Sequence, residues 1–144
     1  MSPLLFLAQV VAGGVAFTCT PVAVWDGDGP IWCAEGPRIR LSGIAAREID
    51  GSCKPNHPCP SANGRASRDQ LFRLLGGSRG TLATGHVAVR GPSLQCRSFG
   101  SGKGIRTAAL CAHPKVGDLS CAMVTSGYAL RWRRYGGDRL CRER

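Results

Sequence analysis

The 144-residue chain predicts an α+β domain on three observations. Short strand-like segments cluster in its first third, a helix-like stretch follows, and a returning hairpin leads into a second short helix. Apolar content of 43% with 19% charged residues suits a folded chain rather than disorder or a coiled coil. The length allows one core, not two full domains.

Phe17 to Trp25 is rich in β-branched and aromatic residues and stops at Asp26-Gly27-Asp28-Gly29-Pro30, a dense turn signal. A strand over Ile31 to Ala34 follows. Glu35-Gly36-Pro37 then leads to Arg38 to Ile44, where Ile39 and Leu41 face one side and Arg38, Arg40 and Ser42 the other. Three successive strands suggest a meander. Asp50 to Pro60 reads as a loop, with Gly, Ser, Asn, three Pro and two Cys.

A helix should follow, with Ala62, Ala66, Leu71, Leu74 and Leu75 at roughly helical spacing, Pro60 or Ser61 near its start and Gly76-Gly77 past its end. Arg65, Arg68 and Arg73 mark its polar face. Val87, Val89 and Leu94 to Cys96 suggest strands, and Thr107 to Cys111 another, across the glycine-rich Phe99 to Gly104 connection. Asp118 reads as the N-cap of a short helix through Leu119, Ala122 and Met123, ended by Gly127. Strands this short leave no free edges if they curl into a small five-stranded OB-like β-barrel with two or three helices beside it.

The eight cysteines include no Cys-x-x-Cys, so a disulfide-stapled fold is favoured over a metal cluster, with Cys53 to Cys59 the one natural local pair. Export would fit. Leu4 to Ala16 is apolar apart from Gln9, and Gly14-Val15-Ala16 offers a signal-peptidase site after Ala16. The expected outcome is a secreted or periplasmic protein with a signal peptide at 1–16, although no cation precedes Arg38 and a buried first strand is the alternative reading. No segment reaches the ~20 apolar residues of a membrane helix.

A net charge of +10, from 16 Arg and 3 Lys against 9 acidic residues, attracts polyanions, with nucleic acid first and anionic envelope or membrane second. Arginine also presents the planar fork suited to phosphate. Arg131-Trp132-Arg133-Arg134-Tyr135 interleaves cations with aromatics as single-strand binders do, or else packs Trp132 on the domain as a surface element end. His57, His86 and His113 lack metal-ligand spacing. Gly100-Ser101-Gly102-Lys103-Gly104 lacks the Lys-Ser/Thr and βαβ setting of a phosphate loop and reads as a hairpin.

The order of Asp26-Gly27-Asp28, Arg40-Leu41, Gly43-Ile44 with Glu48, Arg106-Thr107, and a helix leading to Ser126-Gly127-Tyr128-Ala129 resembles the staphylococcal nuclease (thermonuclease) family over residues 17–135, leaving 136–144 as a basic tail. The resemblance implies an OB-fold barrel that hydrolyses DNA or RNA with calcium or another divalent cation. It implies Asp28 as a direct metal ligand with Asp26 near enough to act through water, Glu48 as general base, and Arg40 and Arg106 as phosphate-binding arginines. Lys103 or Arg97 could replace Arg106, because the Gly100 to Ile105 connection is longer than the family's turn. Arg38, Lys103, Arg131, Arg133 and Arg134 complete the expected nucleic-acid contacts of a monomer.

One departure bears on the chemistry. The family segment Gly-Ile-Asp-x-Pro-Glu here reads Gly43-Ile44-Ala45-Ala46-Arg47-Glu48, so the second calcium ligand is an alanine, which weakens a calcium site. The guanidinium of Arg47 would then partly occupy the vacated cationic position. Two functions follow: a secreted phosphodiesterase, or a non-catalytic nucleic-acid or polyanion-binding module of the same fold.

Overall fold

The computed structural model describes residues 9–142, so the first half of the expected signal segment lies outside the described residues. Over the described residues the chain is α+β, mostly strand, with two α-helices. The strands are β1 (Ala16–Cys19), β2 (Pro21–Asp26), β3 (Gly29–Cys33), β4 (Arg38–Leu41), β5 (Ile44–Ala45), β6 (Ser78–Thr81), β7 (Val87–Val89), β8 (Leu94–Ser101), β9 (Thr107–His113), β10 (Gly117–Asp118) and β11 (Leu130–Arg131). Helix α1 spans Gly64–Leu74 and α2 Leu119–Thr125, and two 3-10 turns cover Arg133–Tyr135 and Gly137–Arg139.

The main sheet runs β1-β8-β9-β4-β3-β2-β7-β6, with β10 added to β9, and its ladder does not close on itself. β2, β3 and β4 form the expected antiparallel meander, while β4 pairs with β9 in parallel. The strand read from Phe17 to Trp25 divides at Thr20, because its halves have different partners: β1 lies against β8 and β2 against β3. Glu35 holds that bend, accepting the Thr20 N–H and hydroxyl at 2.7 Å each. Before β1, the Gly14 N–H donates to the Ser98 carbonyl at 2.8 Å and the Val11 N–H to Thr107 Oγ1 at 3.0 Å. Val10 and Val15 are nevertheless exposed, so this stretch lies on β8 without being buried.

Alternation decides what the sheet encloses. Val24, Ile31, Ile39, Leu41 and Leu94 are fully buried, with Leu71 of α1, Leu75 just past its end, and Leu119 and Met123 of α2 packed among them. The sequence places the start of α1 at Pro60 or Ser61, whereas the cap is Asn63, whose Oδ1 accepts the Ala66 N–H at 2.8 Å. Asp118 caps α2 as expected, accepting from the Ser120 N–H at 3.1 Å.

All eight cysteines are paired: Cys19–Cys33, Cys53–Cys59, Cys96–Cys111 and Cys121–Cys141. The first bridge joins β1 to β3, and the third joins the paired strands β8 and β9. The fourth ties the end of the described chain to α2.

Candidate functional site

The turn between β2 and β3, the end of β4, the 46–64 segment and the β8–β9 hairpin surround a cavity of about 720 Å³. Four separated pieces of chain thus contribute Asp26, Asp28, Arg40, Glu48 and Arg106 to one space, with Lys103 at the hairpin tip. These are the three residues expected to be catalytic, both expected metal ligands and one expected nucleic-acid contact.

Local sterics set two of these positions. A Cβ on Gly27 would lie 2.6 Å from Ser67 Cβ and 2.9 Å from Ala46 Cβ, so only glycine lets the Asp26–Asp28 turn press against α1. A Cβ on Gly64 would lie 1.9 Å from the Glu48 carbonyl oxygen. Glycine at the first turn of α1 therefore lets the chain carrying Glu48 lie against the helix. The Glu48 N–H donates to Ser52 O at 2.9 Å, and its carbonyl accepts the Gly51 N–H at 2.9 Å.

Arg40 is the best-held of the cations. Its Nη1 donates to the Leu41 carbonyl and, at 2.8 Å, to the Ile44 carbonyl, while Nη2 lies 3.3 Å from Asp28 Oδ2. The same Asp28 oxygen accepts the Ala46 N–H at 2.9 Å. Both side chains are mostly covered, with 15% and 11% exposure, so the pair is screened less than a surface ion pair.

Burial holds Asp26, 4% exposed, well above the usual carboxylate range, and the neighbouring Asp28 and Glu48 charges push it the same way. Burial also raises Glu48; Asp28 and Asp50 add to the rise, while Lys54 and Arg106 oppose it. A carboxylate of raised pKa beside two cations is a stronger proton acceptor than a free carboxylate.

The donor set does not fit the calcium that the family resemblance implies. Calcium takes roughly six to eight oxygens. Here Asp28 Oδ2 faces Arg40 and accepts the Ala46 N–H, and Ala45, where the resemblance places a second ligand, is fully buried with no oxygen on its side chain. Among the described residues, no three or more His, Cys, Asp or Glu side chains group as a metal site would.

Arg47 is not the replacing cation. Its Nε donates to Pro60 O at 2.9 Å and its Nη1 to Gly51 O at 2.8 Å, so it braces the Cys53–Cys59 loop. Loop carbonyls lie within reach of its fork, and the cation beside Asp28 is Arg40.

The other expected contacts divide. Arg38 stacks on Trp32, 4.4 Å from the ring centroid, outside the cavity. Arg131 Nη1 donates to Gly137 O at 2.7 Å and Leu140 O at 2.8 Å, which holds the two 3-10 turns together. Arg133 pairs with Asp138 at 2.9 Å with its side chain 84% exposed, and Arg134 lies over Tyr135. None of Arg131, Arg133 and Arg134 lines the cavity, whereas Trp132 and Tyr135 do.

The sequence offered no role for Lys54 and set His57 aside for lack of metal-ligand spacing, yet the disulfide loop carries both into the cavity. His57 stacks 4.4 Å from Trp132, which in turn meets Tyr135 edge-on at 4.8 Å. Burial lowers the His57 pKa, and Arg40 and Lys54 lower it further, so its ring is a neutral stacking surface. The only sequence signal was position: both lie between Cys53 and Cys59.

Among the described residues, no helix is long and apolar enough to cross a membrane. Compared with known proteins, the chain matches no family model and no curated protein.

Proposed function

We propose that the cavity binds the phosphodiester backbone of DNA or RNA and hydrolyses it, in a nuclease-like five-stranded barrel. The barrel reading is supported by the sheet path. β1 and β2 bound the run β1-β8-β9-β4-β3-β2 and are separated only by Thr20, so together they act as one bent strand. With β3, β4, β9 and β8 they make five.

The observation that carries the function is the convergence of Arg40, Glu48 and Arg106 with Lys54 and Lys103 in one cavity. A site built only to hold an anion gains nothing from a carboxylate among four cations. In this reading the Glu48 carboxylate takes a proton from water as the water oxygen attacks phosphorus. The phosphorus–oxygen ester bond breaks, the departing oxygen is protonated from solvent, and Arg40 and Arg106 balance charge on the phosphoryl oxygens. Asp28 positions Arg40, and no step needs a divalent cation. Trp132 and His57 offer faces for a neighbouring base.

A second reading, a binding module without turnover, is favoured by Ala45 and by the commitment of Asp28 to Arg40. Single-stranded DNA incubated with oxidised protein, with divalent cation or with chelator, separates the two. Cleavage that survives chelator and disappears in Glu48→Ala, with binding retained, supports the phosphodiesterase. Binding without cleavage in every condition supports the module. No binding, or binding untouched by Arg40→Ala, ends both readings.

A further inference from the structure

Beside the cavity, the outward faces of β2, β3 and β4 and the residue before β7 carry four side chains that a solvent-facing sheet does not require: Trp25, Trp32, Arg38 and His86. They are assembled into one surface. The His86 ring lies 4.0 Å from Trp32 and 4.9 Å from Trp25, and the Arg38 guanidinium lies over Trp32, 4.4 Å from its ring centroid. Thr84 Oγ1 lies 2.8 Å from His86 Nδ1 and orients the ring. A Cβ at Gly85 would stand 3.1 Å from Trp25 Cζ3, so the absence of a side chain there leaves room for the indole.

Its electrostatics suit a polyanion. Among the described residues Arg38 makes no ion pair, and the three that exist lie elsewhere. His86 is shifted toward its neutral form by burial and by Arg38, which leaves an uncharged ring beside a free cation. The surface also joins the cavity, because Trp25 is 36% exposed and belongs to both.

We infer that Trp25, His86, Trp32 and Arg38 form a second platform, on which bases of a single-stranded nucleic acid stack as the strand leaves the cavity. Aromatic faces accept any base, and Arg38 attracts the backbone or stacks in turn. The inference rests on the cavity reading for the position of the strand. It extends that reading by predicting a binding site longer than the cavity alone.

The test compares fluorescein-labelled oligothymidylates of roughly 4 and roughly 12 nucleotides, the longer able to span cavity and platform. Binding by the wild type is measured against Arg40→Ala, His86→Ala and Arg38→Gln, with urea unfolding confirming that each variant folds. The wild type should bind the longer probe at least about fivefold tighter than its extra length explains statistically, with quenching of tryptophan fluorescence. His86→Ala and Arg38→Gln should remove most of that gain and leave the shorter probe unaffected. Unchanged affinity for the longer probe in both platform variants overturns the platform. Arg40→Ala, by contrast, should weaken both probes, and no effect there overturns the cavity reading while a His86 effect on the longer probe leaves the platform standing. Phosphatidylglycerol vesicles are the competing arm. If they bind the wild type and lose binding in the platform variants while the oligonucleotide does not, the surface is a lipid site and the inference falls.

Discussion

Substituting Gly64→Ala tests whether Glu48 is positioned by helix packing. The new Cβ would stand 1.9 Å from the Glu48 carbonyl oxygen and 3.0 Å from Ile49 Cα, where real contacts are essentially never below 3.0 Å. The 48–49 backbone or the start of α1 must shift by roughly 1 Å, since both atoms belong to backbone and cannot rotate away. Overpacking of this kind costs about 1–3 kcal/mol, and a backbone clash belongs near the upper end. Alanine returns at most ~1 kcal/mol through helix propensity, and less at this terminal position. The net loss should be about 2 kcal/mol, or about 6–8 °C in Tm for a domain of this size. Urea unfolding of oxidised protein measures it. A shift of 1 Å at a proton-accepting carboxylate should also lower hydrolysis about 100-fold with much less effect on oligonucleotide affinity. An unchanged urea midpoint would refute the packing argument, and lost stability with unchanged turnover would refute the role given to Glu48.

Replacing Cys53 and Cys59 together by Ser should cost about 2 kcal/mol, as expected for so short a closed loop. It should also weaken oligonucleotide binding severalfold, because Lys54 and His57 reach the cavity from that loop; unfolding and binding anisotropy report the two effects separately. In the proposed mechanism Glu48 must be ionised, and burial chiefly raises its pKa, so the acid limb of the rate profile should have its midpoint above 4.5 and vanish in Glu48→Gln. Glu35 behaves oppositely: slight burial raises its pKa, but the two Thr20 hydrogen bonds outweigh this and lower it below 4.5. Its contribution is therefore complete above pH 4.5 and lost as pH falls through the folded-state value. Glu35→Gln should flatten that part of the stability profile, and Glu35→Ala should cost about 1 kcal/mol at pH 7 in urea titrations.

Much of the fold is legible in the chain because its signals are local. Alternation of Ile39 and Leu41 with Arg38 and Arg40 marks β4, and Asp118 with Gly127 brackets α2. Asp26-Gly27-Asp28 turns the chain where its composition says it should. The break at Thr20 was not legible, since residues on both sides favour strand and only their different partners divide them. Likewise Asn63 outcompetes Ser61 as the cap because Gly64 alone tolerates contact with Glu48.

The sequence by itself determined an α+β chain rich in cationic groups, with eight cysteines and the three residues proposed for phosphodiester chemistry. Composition, period and residue type are properties of neighbouring positions and survive without a fold. Only the tertiary structure decided how the six cysteines other than Cys53 and Cys59 pair, that Arg40 rather than Arg47 neutralises Asp28, and that the Cys53–Cys59 loop delivers Lys54 and His57 to the cavity. It also separated Arg38 from Arg40, neighbours on one face of β4, placing one on an aromatic surface and the other in the cavity. Those outcomes depend on which distant backbone atoms and side chains arrive within a few ångströms, and on the burial that their arrival creates. Charge, protonation and hydrogen bonding respond to that proximity, which no spacing along the chain encodes.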